Sequence, residues 1–285
     1  MIVARDKGTL RAALVPERRA GRIIGLVPTM GALHGGHLSL LRAARKRTDV
    51  VVMSLFVNPA QFGPGEDLDA YPRDEEHDLE LAAREGVDVV YAPAAAEVYP
   101  EGFATSVEIG GGLTDVLEGG PAQRGPEHFR GVVTIVAKLL NSVQPDVAFF
   151  GQKDAQQALV IKRMVRDLDF PVEIEVLPIV REGDGLALSS RNVYLGPAER
   201  RQARALSRAL AAAERAAARG IATGEALAAA RAELQRAGVD PDYLEARDAE
   251  TLAPAASFNG RPVLVAIAAR IGRARLIDNI VIHTG

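Results

Sequence analysis

The chain contains no cysteine among its 285 residues. That excludes a disulfide framework, a thiolate nucleophile and any zinc site built on sulfur, so a bound metal would need oxygen or imidazole ligands. Long uncharged apolar runs are also missing: none is long enough to span a bilayer, and the N-terminus lacks the basic-then-apolar pattern of a secretory signal. A cytoplasmic protein without a membrane partner is the expectation. A strong charge bias is absent as well. The formal net charge of −3 gives no global attraction for nucleic acid or anionic lipid, and no nucleic-acid partner is expected. What is present is ordinary for a globular protein, with 48% hydrophobic and 25% charged residues, and the length suits one large domain or two modest ones.

From residue 22 to about 178, runs rich in Val, Ile and Phe alternate with helix-like stretches. Residues 23–27, 50–57, 87–91, 146–150 and 172–179 read as strands, and 38–47, 74–85, 129–142 and 155–168 as the helices between them. Strands alternating with helices predict an α/β fold with a parallel, doubly wound (Rossmann-like) sheet. After residue 195 the composition shifts. Residues 197–219 and 224–237 are rich in Ala, Arg and Glu and predict two helices, and three apolar runs at 243–246, 262–271 and 276–282 predict a small antiparallel sheet. The interspersed acids favour solvated helix faces over a nucleic-acid surface. Arg181-Glu182-Gly183-Asp184-Gly185 reads as a connecting turn, which divides the chain into a Rossmann-like domain over 1–182 and a smaller α+β lid domain over 183–285.

The strongest chemical signal follows the first of those strands: Pro28-Thr29-Met30-Gly31-Ala32-Leu33-His34-Gly35-Gly36-His37. A strand leading through glycines into a helix places free backbone N–H groups where a polyphosphate can bind. His34 and His37, three residues apart, share a face of the first turn, where imidazolium donors would neutralise charge developing on an α-phosphate. Gly35 and Gly36 would let adenine or ribose approach the backbone. A surface pair of histidines is the alternative for an isolated H-x-x-H, but the coincidence with glycines and a strand-to-helix junction favours a site.

Three further segments carry polar groups at the ends of predicted elements. Asn58-Pro59-Ala60-Gln61 lies at the carboxyl end of a strand, where ligands of open α/β sheets collect; taken alone it reads as a proline turn. In Gly151-Gln152-Lys153-Asp154, Lys153 supplies a compact positive charge for phosphate, Asp154 suits a helix cap or an ATP hydroxyl, and Gln157 one turn on can face the same cavity. Leu188-Ser189-Ser190-Arg191-Asn192 gathers two hydroxyls and a guanidinium for phosphate oxygens, on a segment placed to close over a triphosphate. The acids Asp74-Glu75-Glu76-His77-Asp78 read mainly as helix caps and solvent-facing groups, with Mg²⁺ held through water as the other reading; no metal ligand is assigned. His128 reads either as a pocket residue or as a capping, core-edge histidine.

The histidine motif resembles the H-x-G-H signature of the nucleotidyltransferase superfamily that includes class I aminoacyl-tRNA synthetases. The longer string from Pro28 to His37 resembles the narrower pantoate–β-alanine ligase family, as do Asn58–Gln61, Asp67–Asp74, His128–Gly131, Gly151–Asp154 and Ser189–Asn192. Gln152 and Ala155 depart from that family's commoner Gly-Glu-Lys-Asp-Tyr/Phe, which leaves Lys153 and Asp154 in place. The resemblance implies an ATP-dependent ligase that condenses pantoate with β-alanine through a pantoyl-adenylate, using Mg²⁺ and acting as a homodimer. It implies that residues 30–37, 151–154, Val180 and 188–191 bind ATP, with Val180 against adenine. It implies that Gln61 and Gln157 bind pantoate, and that Gln61 helps receive β-alanine. His37, His34, Lys153 and Arg191 would stabilise the charge of the first step. Two rivals remain: an adenylyltransferase that leaves AMP on a phosphate, and a nucleotide-binding sensor that has lost turnover.

Overall fold

A strand covered on both faces reads as an unbroken apolar run, and Val50–Leu55 has this form, its first five residues all buried. In the computed structural model, which describes residues 1–64, 66 and 68–283, that run is one of six strands in a parallel sheet. In chain order the elements are β1 (Ile2–Ala4), α1 (Lys7–Arg19), β2 (Ile24–Thr29), α2 (Gly35–Arg47), β3 (Val50–Leu55), α3 (Glu75–Arg84), β4 (Val89–Tyr91), α4 (Ala95–Val98), α5 (Pro126–Val143), β5 (Val147–Gly151), α6 (Ala155–Asp167) and β6 (Glu173–Leu177). The spatial order is β1-β4-β3-β2-β5-β6.

Alternation along the strands sorts the helices into two layers. Val27, Val51, Met53 and Phe149 face Leu40, Leu41 and Ala44 of α2 and Ala82 of α3. Leu26, Val52, Ala148 and Phe150 face the opposite way, onto Leu10 and Leu14 of α1, Val132, Val136 and Leu140 of α5, and Ile161 and Met164 of α6. This is the doubly wound α/β architecture that the sequence predicts.

The rest of the chain forms α7 (Pro197–Ala217), α8 (Thr223–Arg236) and an antiparallel sheet of β7 (Pro241–Asp248), β8 (Val263–Ile271) and β9 (Ala274–Ile282), again as predicted. β8 shows the two-residue period plainly. Val265 and Ile267 pack on Ala203, Leu206 and Leu210 of α7, whereas Leu264 and Ala266 turn to the core under α5. One strand thus ties the small sheet to the large one.

The sequence reading passes over β1 and α1. A three-residue strand is too short for alternation to register, and Pro16 inside α1 contradicts a helical reading. The helix forms because Asp6 caps it, accepting from Thr9 N at 2.8 Å, and because Leu10 and Leu14 bury on one face. Asp67 of the family-like segment lies outside the described residues. Among those described, no helix is long and apolar enough to cross a membrane.

Candidate active site

β2 lies between β3 and β5, and the direction of strand progression reverses there. At such a reversal the loops leaving neighbouring strands diverge and open a crevice at their carboxyl ends. Here the crevice is a cavity of about 860 Å³. Its wall includes Met30, Gly36, His34 and His37 after β2; Gln61 after β3; Gly151, Lys153, Asp154 and Gln157 after β5; and Val180, Leu188, Ser189, Ser190 and Arg191 beyond β6. Five expected residues are not on that wall: Gly31, Ala32, Leu33, Gly35 and Gln152.

The turn after β2 explains four of the five. Gly31 has φ +86° and Ala32 φ +51°, so the chain passes through two left-handed residues, and a Cβ at Gly31 would come within 2.8 Å of Asp78 Oδ2. Asp78, on the buried side of α3, accepts from Ala32 N at 2.9 Å and from Leu33 N at 2.7 Å. The N–H groups of His34 and Gly36 are taken by imidazole nitrogens: His34 N donates to His37 Nδ1 at 3.4 Å and Gly36 N to His34 Nδ1 at 3.1 Å. The expectation of free backbone donors is therefore corrected for Ala32, Leu33, His34 and Gly36, whose N–H groups hold the loop together. The glycines also make room for neighbouring side chains, while Gly36 still lines the cavity. A Cβ at Gly36 would strike the His34 ring, and one at Gly35 would lie 3.0 Å from Leu188 Cδ1, so both glycines admit side chains of this chain.

The two imidazole rings lie against each other at a tilt of 35°, with centroids 4.2 Å apart. Each Nδ1 accepts a backbone N–H, which places the proton of each neutral ring on Nε2. Burial, with the Lys153 ammonium adding to it, lowers the His34 pKa to about 4. Burial, then His34 and Lys153, lowers that of His37 to about 3. At neutral pH these are neutral Nε2–H donors rather than the imidazolium pair expected from the sequence.

β5 ends in the 3-10 turn Gln152–Asp154, which presents Lys153 to the cavity. Asp154 occupies the N-cap position of α6 but makes no side-chain cap, so of its two expected roles capping is not the one realised. Gln152 points elsewhere, its Nε2 donating to Asn279 Oδ1 at 3.1 Å. Across the cavity, Leu188 N donates to Val180 O at 3.0 Å and closes the 181–187 turn. The Ser189 hydroxyl caps the next turn by accepting from Arg191 N at 3.3 Å, and the Arg191 guanidinium lies 6.0 Å from the Tyr71 ring centre.

On the β3 side, Asn58 is buried and committed to the protein. Its Nδ2 donates to Gln61 Oε1 at 3.0 Å and Gly131 O at 3.1 Å, and its Oδ1 accepts from Tyr99 OH at 2.7 Å. Asn58 therefore holds Gln61, whose Nε2 reaches Met30 Sδ at 3.1 Å. His128 is a pocket residue and is also buried at the core edge. Arg124 can only donate, so its 3.1 Å contact makes His128 Nε2 the acceptor, and Nδ1–H donates to Gln61 O at 2.8 Å. Burial, reinforced by Arg124, lowers the His128 pKa to about 4.

Several contributors escape the sequence reading. Asp78 sits in a run that reads as surface acids, although its spacing of four from Ala82 puts both on the buried stripe of α3, a signal that periodicity carries. Gln156 Nε2 donates to Leu113 O and Val116 O, both at 2.8 Å, and secures the loop over the cavity. Arg124 and Asn279 stand at tertiary contacts that no local pattern announces.

A crevice at the reversal point of a doubly wound sheet, with paired imidazoles and a lysine on adjacent strand ends, defines an α/β protein whose main cavity opens where folds of this class take ligands, at the carboxyl ends of the strands. More narrowly, the chain belongs to the pantoate–β-alanine ligase family, whose model matches residues 2–281, and it is a ligase of that family. The pantothenate synthetase of Moorella thermoacetica is 56% identical over 278 residues, 96% of each chain. The crystal structure of pantothenate synthetase from Thermus thermophilus superposes with a TM-score of 0.94 at 48% identity over 100% of both chains. Pantoate–β-alanine ligase from Francisella tularensis, complexed with beta-gamma ATP and β-alanine, has a TM-score of 0.81 at 32% identity and is covered to 99% by all of this chain.

Proposed function

We propose that this chain condenses pantoate with β-alanine at the expense of ATP, through a pantoyl-adenylate, releasing pyrophosphate and then AMP. The observation that carries this reading is the shared cavity in which His34, His37, Lys153 and Arg191 meet Gln61 and Gln157. The Francisella relative, with its nucleotide and β-alanine, supports the same substrates.

In the first step a pantoate carboxylate oxygen attacks the α-phosphorus, and the bond from that phosphorus to the bridging oxygen of pyrophosphate breaks. Residues 30–37, 151–154, 188–191 and Val180 are the proposed ATP contacts; the five that do not reach the cavity wall would act by shaping it. Neutral His34 and His37 would donate Nε2–H to phosphate oxygens, while Lys153 and Arg191 balance the departing charge; His37 is the leading donor. Gln61 and Gln157 would orient pantoate. In the second step the β-alanine nitrogen attacks the acyl carbon, the bond to AMP breaks, and the amine proton is lost. No protein nucleophile is required. Enclosure of the adenylate keeps it from water until the amine arrives.

Mg²⁺ is taken to enter as part of Mg²⁺-ATP, since among the described residues no cluster of three or more His, Asp or Glu is gathered to hold a metal. We further propose that residues 1–182 and 183–285 act as two domains, that the protein is a homodimer, and that it works in the cytoplasm. Mass analysis after incubation with Mg²⁺-ATP, pantoate and β-alanine tests the reaction. Pantothenate and AMP are expected only when all three are present, with pantoyl-adenylate accumulating when β-alanine is omitted. A stable dinucleotide without AMP, or nucleotide binding without turnover, would overturn it.

A further inference from the structure

We propose that Asn279, on strand β9 of the small sheet, is a positioning residue for Lys153, so that docking of that sheet sets the lysine in register with the phosphates. This rests on Lys153 being an ATP ligand.

Asn279 is 4% exposed and spends its whole amide on one short segment. The two hydrogens of Nδ2 go to Gln152 O at 3.0 Å and Lys153 O at 2.9 Å, and Oδ1 accepts from Gln152 Nε2 at 3.1 Å. The 3-10 turn Gln152–Asp154 has no side-chain cap of its own, since its N-cap is Gly151. A turn of three residues has little internal rigidity, and partners that bind successive carbonyls fix the backbone from which the lysine projects. Gln152 is matched to the task. A glutamate there would offer no donor to Asn279 Oδ1 and would set a carboxylate against it.

The neighbouring residue acts in the same direction. Asp278 is 3% exposed, accepts from both guanidinium nitrogens of Arg181 at 2.6 and 2.9 Å, and accepts from Asn279 N at 2.8 Å. Arg181 directly follows Val180 on the cavity wall. Two consecutive residues of β9, themselves at the edge of the cavity, thus hold two wall segments, one through Lys153 and one through Val180. A simple seam between sheets would place apolar side chains at these positions, at lower desolvation cost.

The test is a double-mutant cycle on Mg²⁺-ATP binding, measured by titration calorimetry without pantoate, with urea midpoints recorded alongside. Asn279→Ala is expected to weaken ATP binding about tenfold, as befits lost positioning of one charged contact. The KM for pantoate should not change. Lys153→Ala weakens ATP binding on its own, and Asn279→Ala adds no further loss on that background. If the two losses multiply, Asn279 is only a seam residue and the proposal fails while Lys153 stands as a ligand. If Lys153→Ala leaves ATP binding intact, both ideas fall. Should Asn279→Ala not fold, Gln152→Ala takes its place in the same cycle. It leaves both Nδ2 bonds in place, so a smaller loss that disappears in the Lys153→Ala background supports the proposal, and no loss or a multiplying one overturns it.

Discussion

Two imidazole rings at 4.2 Å, beside an ammonium group, cannot both accept protons without strong repulsion, and burial raises the cost further. The consequence is a pH dependence of stability. His34, His37 and His128 titrate near 6.5 in the unfolded chain, but at about 4, 3 and 4 in the folded one. Between pH 6.5 and about 4 the unfolded state therefore binds more protons, so stability is complete above 6.5 and declines as the pH falls through that window. Urea midpoints measured from pH 7.5 to 4.5 should show this decline. His37→Gln should flatten it, because one of the three groups no longer takes up a proton on unfolding, and the same variant should lose pantoate-dependent pyrophosphate–ATP exchange. An unchanged pH slope would show that His37 is not held neutral by its surroundings. At this scale the histidines, Lys153 and Arg191 were legible because each stands in a local motif at the end of an element. The protonation state was not, since it depends on burial and on a lysine more than a hundred residues away. Asp78 was hidden among acids of a kind that usually serve as caps; Asp74 is such a cap, accepting from His77 N at 3.1 Å, and Asp78 is not.

Elements meet at the site through close approach as well as through charge. Helix α5 packs on the short turn Pro59–Gln61 at Gly131, where an added Cβ would lie far inside van der Waals contact of Ala60 O and 2.7 Å from Gln61 Cα. The clash is with backbone, so no rotamer change relieves it. Gly131 O also accepts from Asn58, which in turn holds Gln61. Gly131→Ala should push the turn away from the helix, costing about 1–3 kcal/mol of stability as overpacking does. It should also raise the KM for pantoate more than that for ATP, because Gln61 moves and the histidine turn does not. Steady-state kinetics with each substrate varied would check this, and equal changes in both KM values would count against it. The helix itself was legible from its apolar run, and so were β2, β3 and β5, whose buried interiors leave little choice of secondary structure; the half-exposed edge strand β6 was legible from its Ile and Val. Why Gly131 must be glycine was not legible, since the atom it avoids belongs to a residue 71 positions earlier. β1 and α1 were missed for the opposite reason: they are specified by a cap and by pairing with β4 rather than by a long apolar pattern.

Across the whole molecule, the small sheet is joined to the rest by the apolar side chains of Leu264 and Ala266 and, at the rim of the cavity, by polar groups that reach the loop before α5. Arg275 of β9 reaches Glu118 through Nη1 and Nη2 at 2.7 and 2.9 Å, and Tyr243 of β7 donates to the same carboxylate at 2.9 Å. Burial pulls the Glu118 pKa upward, but Arg275 and Tyr243 outweigh it and leave the carboxyl below its ordinary value. With side chains only 18% and 12% exposed, neither charge can turn to water if its partner is lost. Arg275→Ala should therefore cost about 3–5 kcal/mol, the usual penalty for stranding one member of a buried pair. In the double variant Glu118→Ala, Arg275→Ala, the cost should be clearly less than the sum of the singles. Recovery will be incomplete because Arg275 also holds Asp242 at 2.8 Å and Gln123 at 2.7 Å. Urea unfolding of the four proteins gives the coupling directly; strict additivity would mean that the pair is solvated and fastens nothing. The change in composition after residue 195 predicts the small sheet and its helices, yet nothing local signals this contact between residues 157 positions apart. The polar part of the seam is sensitive to charge, and both Glu118 and Arg275 line the cavity.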